Sequence, residues 1–302
     1  MREVRLIAQA KINLFLRVLA RETSGYHALE TLFQRLEVGD DVVVRVDVPG
    51  RSLDCRGADV GPMERNLAWR AATAYAEAAG WPGGWAIEIE KCIPAGGGLG
   101  GGSADAGAVL RALNALAPTP LPQDRLLALA ARLGADVPFL TTEAPLALAW
   151  GRGERMLALP ALPIRPVLLL CPVVGVPTAE AFRWLADDRG AHASVPRLVE
   201  LEALGSWDGV ARLAGNDFET PVARRLPELQ RWLTPEPPSG AIRALTGSGS
   251  TIFWLPTEDE ALPPAGWPGP GDRSAPASGS TSGARVVATR TAAHVVPVTR
   301  IE

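Results

Sequence analysis

Cysteine is scarce in this chain of 302 residues. The three cysteines, Cys55, Cys92 and Cys171, are odd in number and lie far apart in the sequence. A disulfide framework needs several pairs, and a cysteine metal site needs close CxxC spacing, so both classes of protein are excluded. We expect three free thiols that behave as small apolar side chains.

An excess of positive charge is also missing. The chain has 30 basic and 33 acidic side chains, a net charge of −3 and no run of basic residues. Proteins that bind nucleic acid or anionic membranes usually carry a basic patch, so we expect neither partner. A small molecule is the expected partner.

Long apolar runs are absent too. No stretch approaches the roughly 20 apolar residues of a membrane span, and the first residues, "MREVRLIAQAKINLFL", do not resemble a secretory leader. A cytoplasmic protein is therefore expected. With 47% hydrophobic residues, the chain is long enough for a substantial core and two domains.

Lysine is nearly absent, because Lys11 and Lys91 are the only lysines among the 30 basic residues. An ammonium is more compact than a guanidinium, is hydrated differently and changes its pKa more readily. A chain that uses arginine elsewhere is expected to need an ammonium at these two positions. The alternative is that two surface lysines are present by chance.

The first part of the chain is predicted to be rich in strands. Apolar and polar residues alternate from residue 10 to 18, which predicts a strand with Lys11 and Asn13 on the same face. The stretch "SGYHALETLFQRLEVGDD" predicts a turn, a second strand and another turn at "GDD", followed by a third strand over "DVVVRVDV".

Helices and strands then alternate around a glycine-rich segment. Asn66 is the expected N-cap of a helix that Gly80 ends, and a strand ending at Lys91 leads into the glycines. Ser103 is the expected cap of the next helix. A further helix ends at Gly134, and Pro138 is expected to hold residue 137 extended, which places Asp136 in a short loop.

The sequence predicts two domains, at residues 1–155 and 156–302. The second opens with a buried strand, "RPVLLLCPVVGV", continues with helices, and contains a glycine turn, "TGSGST", that leads into another strand. Residues 256–283 are rich in Pro, Gly and Ser and poor in large apolar residues, so we expect a mobile segment there.

The glycine-rich segment indicates an anion site. Six glycines between Gly96 and Gly102 stand between a strand and a helix, where free backbone N–H groups and the helix dipole favour phosphate. The segment is not a Walker motif, because Gly102 stands where that motif has lysine. Two alternatives stay open: a dinucleotide site, suggested by the G-x-G-x-x-G match at Gly96, and a turn that serves packing alone.

Seven motifs carry a resemblance to a known family. They are "AKINLFLRV", "GYHALETLFQ", "PAGGGLGGGSADAG", "GADVPFL", "GRGE", "NDFE" and "TGSGSTIF", in this order. Together they resemble the GHMP kinases over roughly residues 5 to 255. Within that superfamily, "AKINLFL" and "GYH" are similar to the branch that phosphorylates a cytidine diphosphate conjugate of methylerythritol in the non-mevalonate route to isoprenoids.

The resemblance implies a fold and a reaction. The fold is α+β, with an N-terminal domain like domain 2 of ribosomal protein S5 and a ferredoxin-like C-terminal domain. The reaction is transfer of the ATP γ-phosphate, with Mg²⁺, to the 2-hydroxyl of the methylerythritol group. Lys11 and Asp136 match the catalytic pair: Asp136 would orient or deprotonate the hydroxyl, and Lys11 would stabilise the developing charge.

The resemblance also implies binding residues. Nucleotide binding is expected at Asn66, Lys91, Pro94, Ala95, Gly96, Gly97, Gly98, Leu99, Gly100, Gly101, Gly102, Ser103 and Asn114. Substrate binding is expected at Asn13, Tyr26, His27, Phe182, Gly247 and Ser248, with Tyr26 and Phe182 stacking on cytosine and His27 bonding its edge. For Tyr26, His27 and Phe182 an ordinary structural role is the alternative, and Asn66 can act as a helix cap as well.

Other features stay open. After residue 255 the sequence departs from the family, because helix breakers replace the helix that usually follows. Thr246 and Thr251 replace smaller or sulfur-containing residues around the second glycine turn. A metal ligand is not identified, and the chain is expected to be a monomer or weak homodimer. Another GHMP small-molecule kinase and a catalytically idle nucleotide-binding relative are the alternative functions.

Overall fold

The computed structural model describes residues 1–21, 27–58, 61–189, 199–234, 236–257 and 283–301. Tyr26 and most of the Pro/Gly/Ser-rich segment therefore lie outside the described residues. Two sheets with helices packed on them make up an α+β architecture.

Two long antiparallel strands, β1 (Arg2–Arg21) and β2 (His27–Val46), form the centre of the first sheet. The turn predicted at "GDD" is wrong, because β2 continues through it. Gly39 pairs with Gln9 at a register shift of β1, and a Cβ on Gly39 would lie 2.7 Å from the backbone oxygen of Ala8. The glycine thus permits close approach of two strands rather than a turn.

The remaining strands extend this sheet on both sides. On the β2 side, β4 (Trp85–Glu90) pairs antiparallel with β2 and β3 (Arg51–Arg56) pairs parallel with β4. The hairpin of β5 (Leu146–Gly151) and β6 (Arg155–Leu159) pairs with the other half of β2. On the β1 side lie the short strands β8 (Gly215–Asn216) and β12 (Thr299–Ile301).

Four helices accompany the first sheet. They are α1 (Leu67–Ala79), α2 (Gly101–Leu116), α3 (Gln123–Leu133) and α4 (Val137–Thr141). The predicted caps of α1 are confirmed: the Asn66 side chain accepts a hydrogen bond from the N–H of Ala68, and Gly80 ends the helix at a φ of +63°. Helix α2 is the most buried, and it packs against α1, α4 and strands β1 and β2.

The second sheet has the order β11-β7-β10-β9 and is antiparallel. Its strands are β7 (Pro166–Pro172), β9 (Ile242–Leu245), β10 (Ile252–Leu255) and β11 (Ala284–Arg290). The helices of this part are α5 (Thr178–Arg189), α6 (Trp207–Leu213), α7 (Glu219–Arg225) and α8 (Pro227–Leu233). A second apolar cluster that includes Phe218, Trp232 and Trp254 packs between α5, α7, α8 and the sheet.

The two parts are joined at more than one place. Strand β8 belongs to the second part of the sequence yet pairs with β1, and β12 near the C-terminus also pairs with β1. The division at residue 155 stays a prediction, and β6 extends to Leu159 on the first sheet. Within the described residues, no helix is both long and apolar enough to span a bilayer.

Candidate active site

Lys11 and Asp136, 125 positions apart in sequence, meet in space. Lys11 lies on β1, Asp136 directly precedes α4, and Lys11 Nζ is 3.2 Å from Asp136 Oδ2. The ammonium also donates to Asn13 Oδ1 at 2.7 Å and lies 5.5 Å from the centre of the Phe33 ring. The Lys11 side chain is 2% exposed and that of Asp136 is 29% exposed. A dehydrated cation is thus fixed beside a carboxylate that solvent, or a bound hydroxyl, can reach.

Close packing of α4 against α2 brings Asp136 to this position. Gly107 on α2 has no side chain, and a Cβ there would lie 2.5 Å from the backbone oxygen of Leu140 on α4. Val137 begins α4, so the extended conformation predicted for it is wrong. The prediction failed because proline is also well tolerated in the first turn of a helix, and Pro138 occupies that turn.

Arg35 on β2 holds the other end of the Asp136 segment. Its guanidinium donates to the carbonyl oxygens of Phe139 and Thr142 at 2.8 Å each and of Ala144 at 3.1 Å. Burial lowers the pKa of this guanidinium to about 9. Because Arg35 binds the carbonyls that end α4, it fixes the helix whose first turn follows Asp136.

The glycine-rich segment lines a cavity of about 290 Å³ at the start of α2. Helix α2 begins at Gly101 after Gly100, whose φ is +74°, so Ser103 lies inside the first turn and is not the cap that the sequence predicted. No side chain in the described part of the chain caps α2, so its first N–H groups stay available to an anion. The lining residues are Arg65, Asn66, Leu67, Lys91, Ile93, Pro94, Ala95, Gly96, Gly97, Gly98, Leu99, Gly100, Gly101, Gly102 and Asp105.

The second glycine turn packs directly on the first. Gly98 has a φ of +81°, and a Cβ there would lie 2.9 Å from the carbonyl carbon of Thr246. The Thr246 hydroxyl lies 3.2 Å from the Gly98 oxygen and 3.2 Å from Asn13 Oδ1. Gly247 donates its N–H to Asn13 Oδ1 at 2.9 Å. Asn13 therefore joins the catalytic pair, the glycine loop and the second turn.

Aromatic rings lie at the far end of β2. The rings of His27 and Phe182 are stacked, with centroids 4.6 Å apart and planes at 18°. Phe182 in turn meets the edge of Phe218 at 4.9 Å and 87°. Ser248, in the second glycine turn, has its hydroxyl 3.1 Å from that of Thr178. Tyr26, the other aromatic expected here, lies outside the described residues.

Comparison with known proteins identifies the family of the chain. The family described as "GHMP kinases N terminal domain" matches residues 66–143. The 4-diphosphocytidyl-2-C-methyl-D-erythritol kinase of Thermus thermophilus is 41% identical over 262 residues, covering 82% of this chain and 86% of its own. The enzyme of the same name from a Geobacter species is 37% identical over 265 residues, covering 86% of this chain and 92% of its own.

A solved structure extends the agreement to the fold. The crystal structure of a 4-(cytidine 5'-diphospho)-2C-methyl-D-erythritol kinase superposes with a TM-score of 0.68 at 36% identity and covers 95% of this chain and 98% of that one. The chain belongs to the 4-diphosphocytidyl-2-C-methyl-D-erythritol kinase family. The resemblance to GHMP kinases is confirmed, and the chain is a phosphotransferase that uses ATP. The dinucleotide alternative is not supported.

Lys91 of this kinase forms a buried charge network at the cavity wall. Its ammonium pairs with the carboxylates of Asp40 and Asp105. Asp40 also accepts hydrogen bonds from the N–H groups of Cys92 and Ile93, at 2.6 and 2.8 Å. Burial opposes the charge on Lys91, but the two carboxylates outweigh it and raise the pKa of the ammonium. Burial raises the pKa of the Asp105 carboxyl to about 7, although the nearby Lys91 ammonium acts to lower it. The network fixes the start of the glycine loop.

Asn114 lies away from the cavity of the kinase. It stands near the C-terminal end of α2, where its Oδ1 accepts from the hydroxyl of Tyr75 and the N–H of Leu121. The polar side chain of α2 that lines the cavity is Asp105. Ser103, in the first turn of α2, is not among the lining residues either.

Further residues of the site were missed from the sequence. Asp40, Arg35 and Arg65 were not proposed, and Thr246 was noted only as a departure from the family. For Asp40 the visible signal was "GDD", which was interpreted as a turn. The described part of the chain has no group of three or more His, Cys, Asp or Glu side chains that could hold a metal ion. The acidic side chain in the cavity wall, Asp105, is bound by Lys91. The described residues therefore do not form a metal cage.

Proposed function

We propose that this kinase transfers the γ-phosphoryl group of ATP to the 2-hydroxyl of 4-diphosphocytidyl-2-C-methyl-D-erythritol, a step of the non-mevalonate route to isoprenoid precursors. The observation that carries the proposal is the Lys11–Asp136 pair at 3.2 Å, held beside a glycine loop at a helix N-terminus. The names of the relatives support the choice of substrate.

Lys11 and Asp136 would carry the chemistry. The acceptor hydroxyl would bind at the exposed side of Asp136, which would orient it and accept its proton as the phosphoryl group arrives. Lys11 would stabilise the negative charge on the transferring group. Because its ammonium is already dehydrated and fixed by Asn13, little reorganisation is needed during the reaction.

The glycine loop would hold the polyphosphate of ATP. Backbone N–H groups from Gly96 to Gly102 and the start of α2 supply donors without demanding side-chain space. Asn66 and Lys91 line the same cavity and would contact the nucleoside side. Mg²⁺ would enter as MgATP, because it keeps several waters and binds nucleotide phosphates with only one or two carboxylates rather than in a protein cage. We assign it no particular protein ligand.

The acceptor would lie on the other side of the pair. Asn13 would contact the methylerythritol end, and Gly247 and Ser248 would lie near the phosphates of the acceptor. Phe182, together with Tyr26, would stack on cytosine, and His27 would bond its edge. In the structure His27 and Phe182 stack on each other, so a base that enters between aromatic rings would displace this contact.

A substrate panel tests the proposal. The purified chain with MgATP is offered the cytidine diphosphate conjugate, homoserine, mevalonate and a sugar, and ADP release and phosphorylated product are measured. We expect turnover on the cytidine compound and loss of it in Asp136→Asn. Turnover on another acceptor would reassign the enzyme within the superfamily, and ATP binding without transfer to any acceptor would identify an idle relative.

A cytoplasmic location and a monomeric or weakly dimeric state also belong to the proposal. The acidic net charge, with no basic patch in the sequence, supports small-molecule substrates over nucleic acid. Size-exclusion chromatography with light scattering measures the oligomeric state. A stable tetramer would contradict the proposal on that point.

A further inference from the structure

We infer that Asn216 and Phe218, in the "NDFE" segment, are positioning residues: Asn216 holds the catalytic half of the acceptor site and Phe218 holds the aromatic half. The inference rests on the proposed function for its kinetic readouts. Neither residue contacts the catalytic pair, and each acts through one intermediate segment.

The side chain of Asn216 fixes the second glycine turn. Its Nδ2 donates to the carbonyl oxygens of Leu245 and Gly247, at 2.7 and 2.8 Å, and its Oδ1 accepts from the N–H of Phe218 at 2.9 Å. The residue is 8% exposed, so little water is present to replace these bonds. One amide thus holds two carbonyls of the turn, including that of Gly247.

The second glycine turn helps to position the catalytic lysine, Lys11. The N–H of Gly247 donates to Asn13 Oδ1, which also accepts from Lys11 Nζ, and Lys11 pairs with Asp136. A shift of Gly247 therefore changes the hydrogen bonding of the oxygen that orients the ammonium. Displacement of about 1 Å in such a site can reduce the rate by roughly 100-fold.

Phe218 supports the other half of the site. It is 2% exposed, and its ring meets the ring of Phe182 edge-on, with centroids 4.9 Å apart and planes at 87°. The same Phe182 ring stacks with His27. Edge-to-face contact fixes the plane of Phe182. A smaller apolar residue at 218 would leave Phe182 free to tilt.

The segment itself is tied to β1, which carries Lys11. Strand β8 pairs with Phe15 and Leu16 of β1. Asp217, between the two positioning residues, accepts from the N–H of Val18 at 2.6 Å and pairs with Arg189 at 2.6 Å. The segment therefore cannot shift away from β1 without breaking these contacts, and it serves as a common support for both halves.

The test compares two variants. Asn216→Asp keeps the acceptor oxygen for Phe218 but turns an oxygen towards the two carbonyls, which repels the turn. We expect kcat to fall roughly 10- to 100-fold, with a smaller rise in the KM for the cytidine substrate, since Gly247 also lies at the acceptor, and a KM for ATP within about twofold. Phe218→Leu is expected to raise KM for the cytidine substrate several-fold, with kcat and the KM for ATP within about twofold.

Asn114→Asp is the matched control. The Asn114 Oδ1 accepts from the N–H of Leu121 at 2.7 Å and its Nδ2 donates to the carbonyl of Leu121 at 3.2 Å, so the same change turns an oxygen towards a carbonyl at the far end of α2, away from the cavity. We expect a loss of stability but kcat within about twofold of wild type. Equal losses of kcat in Asn216→Asp and Asn114→Asp, or parallel changes of kcat and KM in the two test variants, would overturn the inference.

Hydrogen–deuterium exchange supplies a readout that needs no substrate. In Asn216→Asp the amides of residues 246–251 should exchange faster, while Asn114→Asp leaves them protected. Unchanged protection of this turn in Asn216→Asp refutes the inference by itself. Absence of wild-type turnover on the cytidine compound would instead refute the proposed function, so the two failures are distinguishable.

Discussion

Removal of either member of the Lys11–Asp136 pair should abolish most activity, but the two changes should affect stability differently. Lys11→Met removes a cation that is 2% exposed and leaves a carboxylate that is 29% exposed and can be solvated. Asp136→Asn leaves the buried ammonium with only neutral partners, the amide of Asn13 and the ring of Phe33. A buried charge without its counter-ion is the costly arrangement.

The size of the difference follows from the distance. Two unit charges 3.2 Å apart attract by about 5 kcal/mol at an effective dielectric constant near 20. Solvent at Asp136 screens part of this, and Asn can still accept a hydrogen bond, so we expect Asp136→Asn to lose roughly 1–3 kcal/mol of unfolding free energy. Lys11→Met retains an apolar stem and should change stability by less than about 1 kcal/mol. Both should lower kcat by at least ~10²-fold.

Urea denaturation followed by tryptophan fluorescence measures stability, and a coupled ADP assay measures kcat. Asp41→Asn is a suitable control, because Asp41 is 26% exposed but pairs with Arg5 at the surface, where the cation is solvated. No measurable loss of stability is expected there. A Lys11→Met variant that is clearly less stable than Asp136→Asn would refute the idea that the buried ammonium is the costly charge, and full activity in either would remove that residue from the mechanism.

Three further outcomes are expected. Gly98→Ala should lose more stability than Gly96→Ala in urea denaturation, because both glycines have a positive φ but only a Cβ on Gly98 would collide with the backbone of Thr246. Equal losses would contradict the close contact between Gly98 and Thr246. Arg35→Met should cost roughly 2 kcal/mol or more and lower kcat, since the carbonyls of Thr142 and Ala144 lose their donor and that of Phe139 keeps only Thr142; unchanged urea midpoints would contradict this. Burial raises the pKa of Glu219 from 4.5 to about 7, so the folded state retains a proton that the unfolded state releases, and wild-type stability should fall as pH rises between these values. Glu219→Gln should flatten that slope, and an unchanged slope would contradict the assignment.

Local patterns predicted several elements correctly. The alternation around Lys11 and Asn13 placed both side chains on one face of β1, and the structure joins them by a hydrogen bond. Asn66 and Gly80 were identified as the ends of α1 from their chemistry alone. These predictions succeed because strand alternation and helix capping depend on neighbours within a few residues.

The errors have two causes. "GDD" resembles a turn, but Gly39 permits β2 to cross β1 closely, and Asp40 binds the backbone at the start of the glycine loop. These contacts come from segments distant in sequence. The Pro138 error is local, because proline suits the first turn of a helix as well as an extended segment, and Pro138 occupies the first turn of α4.

The sequence by itself determined the glycine-rich loop between a strand and a helix and the importance of Lys11 and Lys91 among basic residues that are otherwise arginine. It also carried a family resemblance that the comparisons confirm. Only the tertiary structure decided that Asp136 reaches Lys11, that Asp40 and Asp105 surround Lys91, and that Asn114 lies elsewhere. The physical reason is the distance along the chain over which each interaction acts. Helix and strand propensities and helix caps depend on residues within one or two helical turns. The meeting of buried charges depends instead on how strands and helices far apart in the chain pack together.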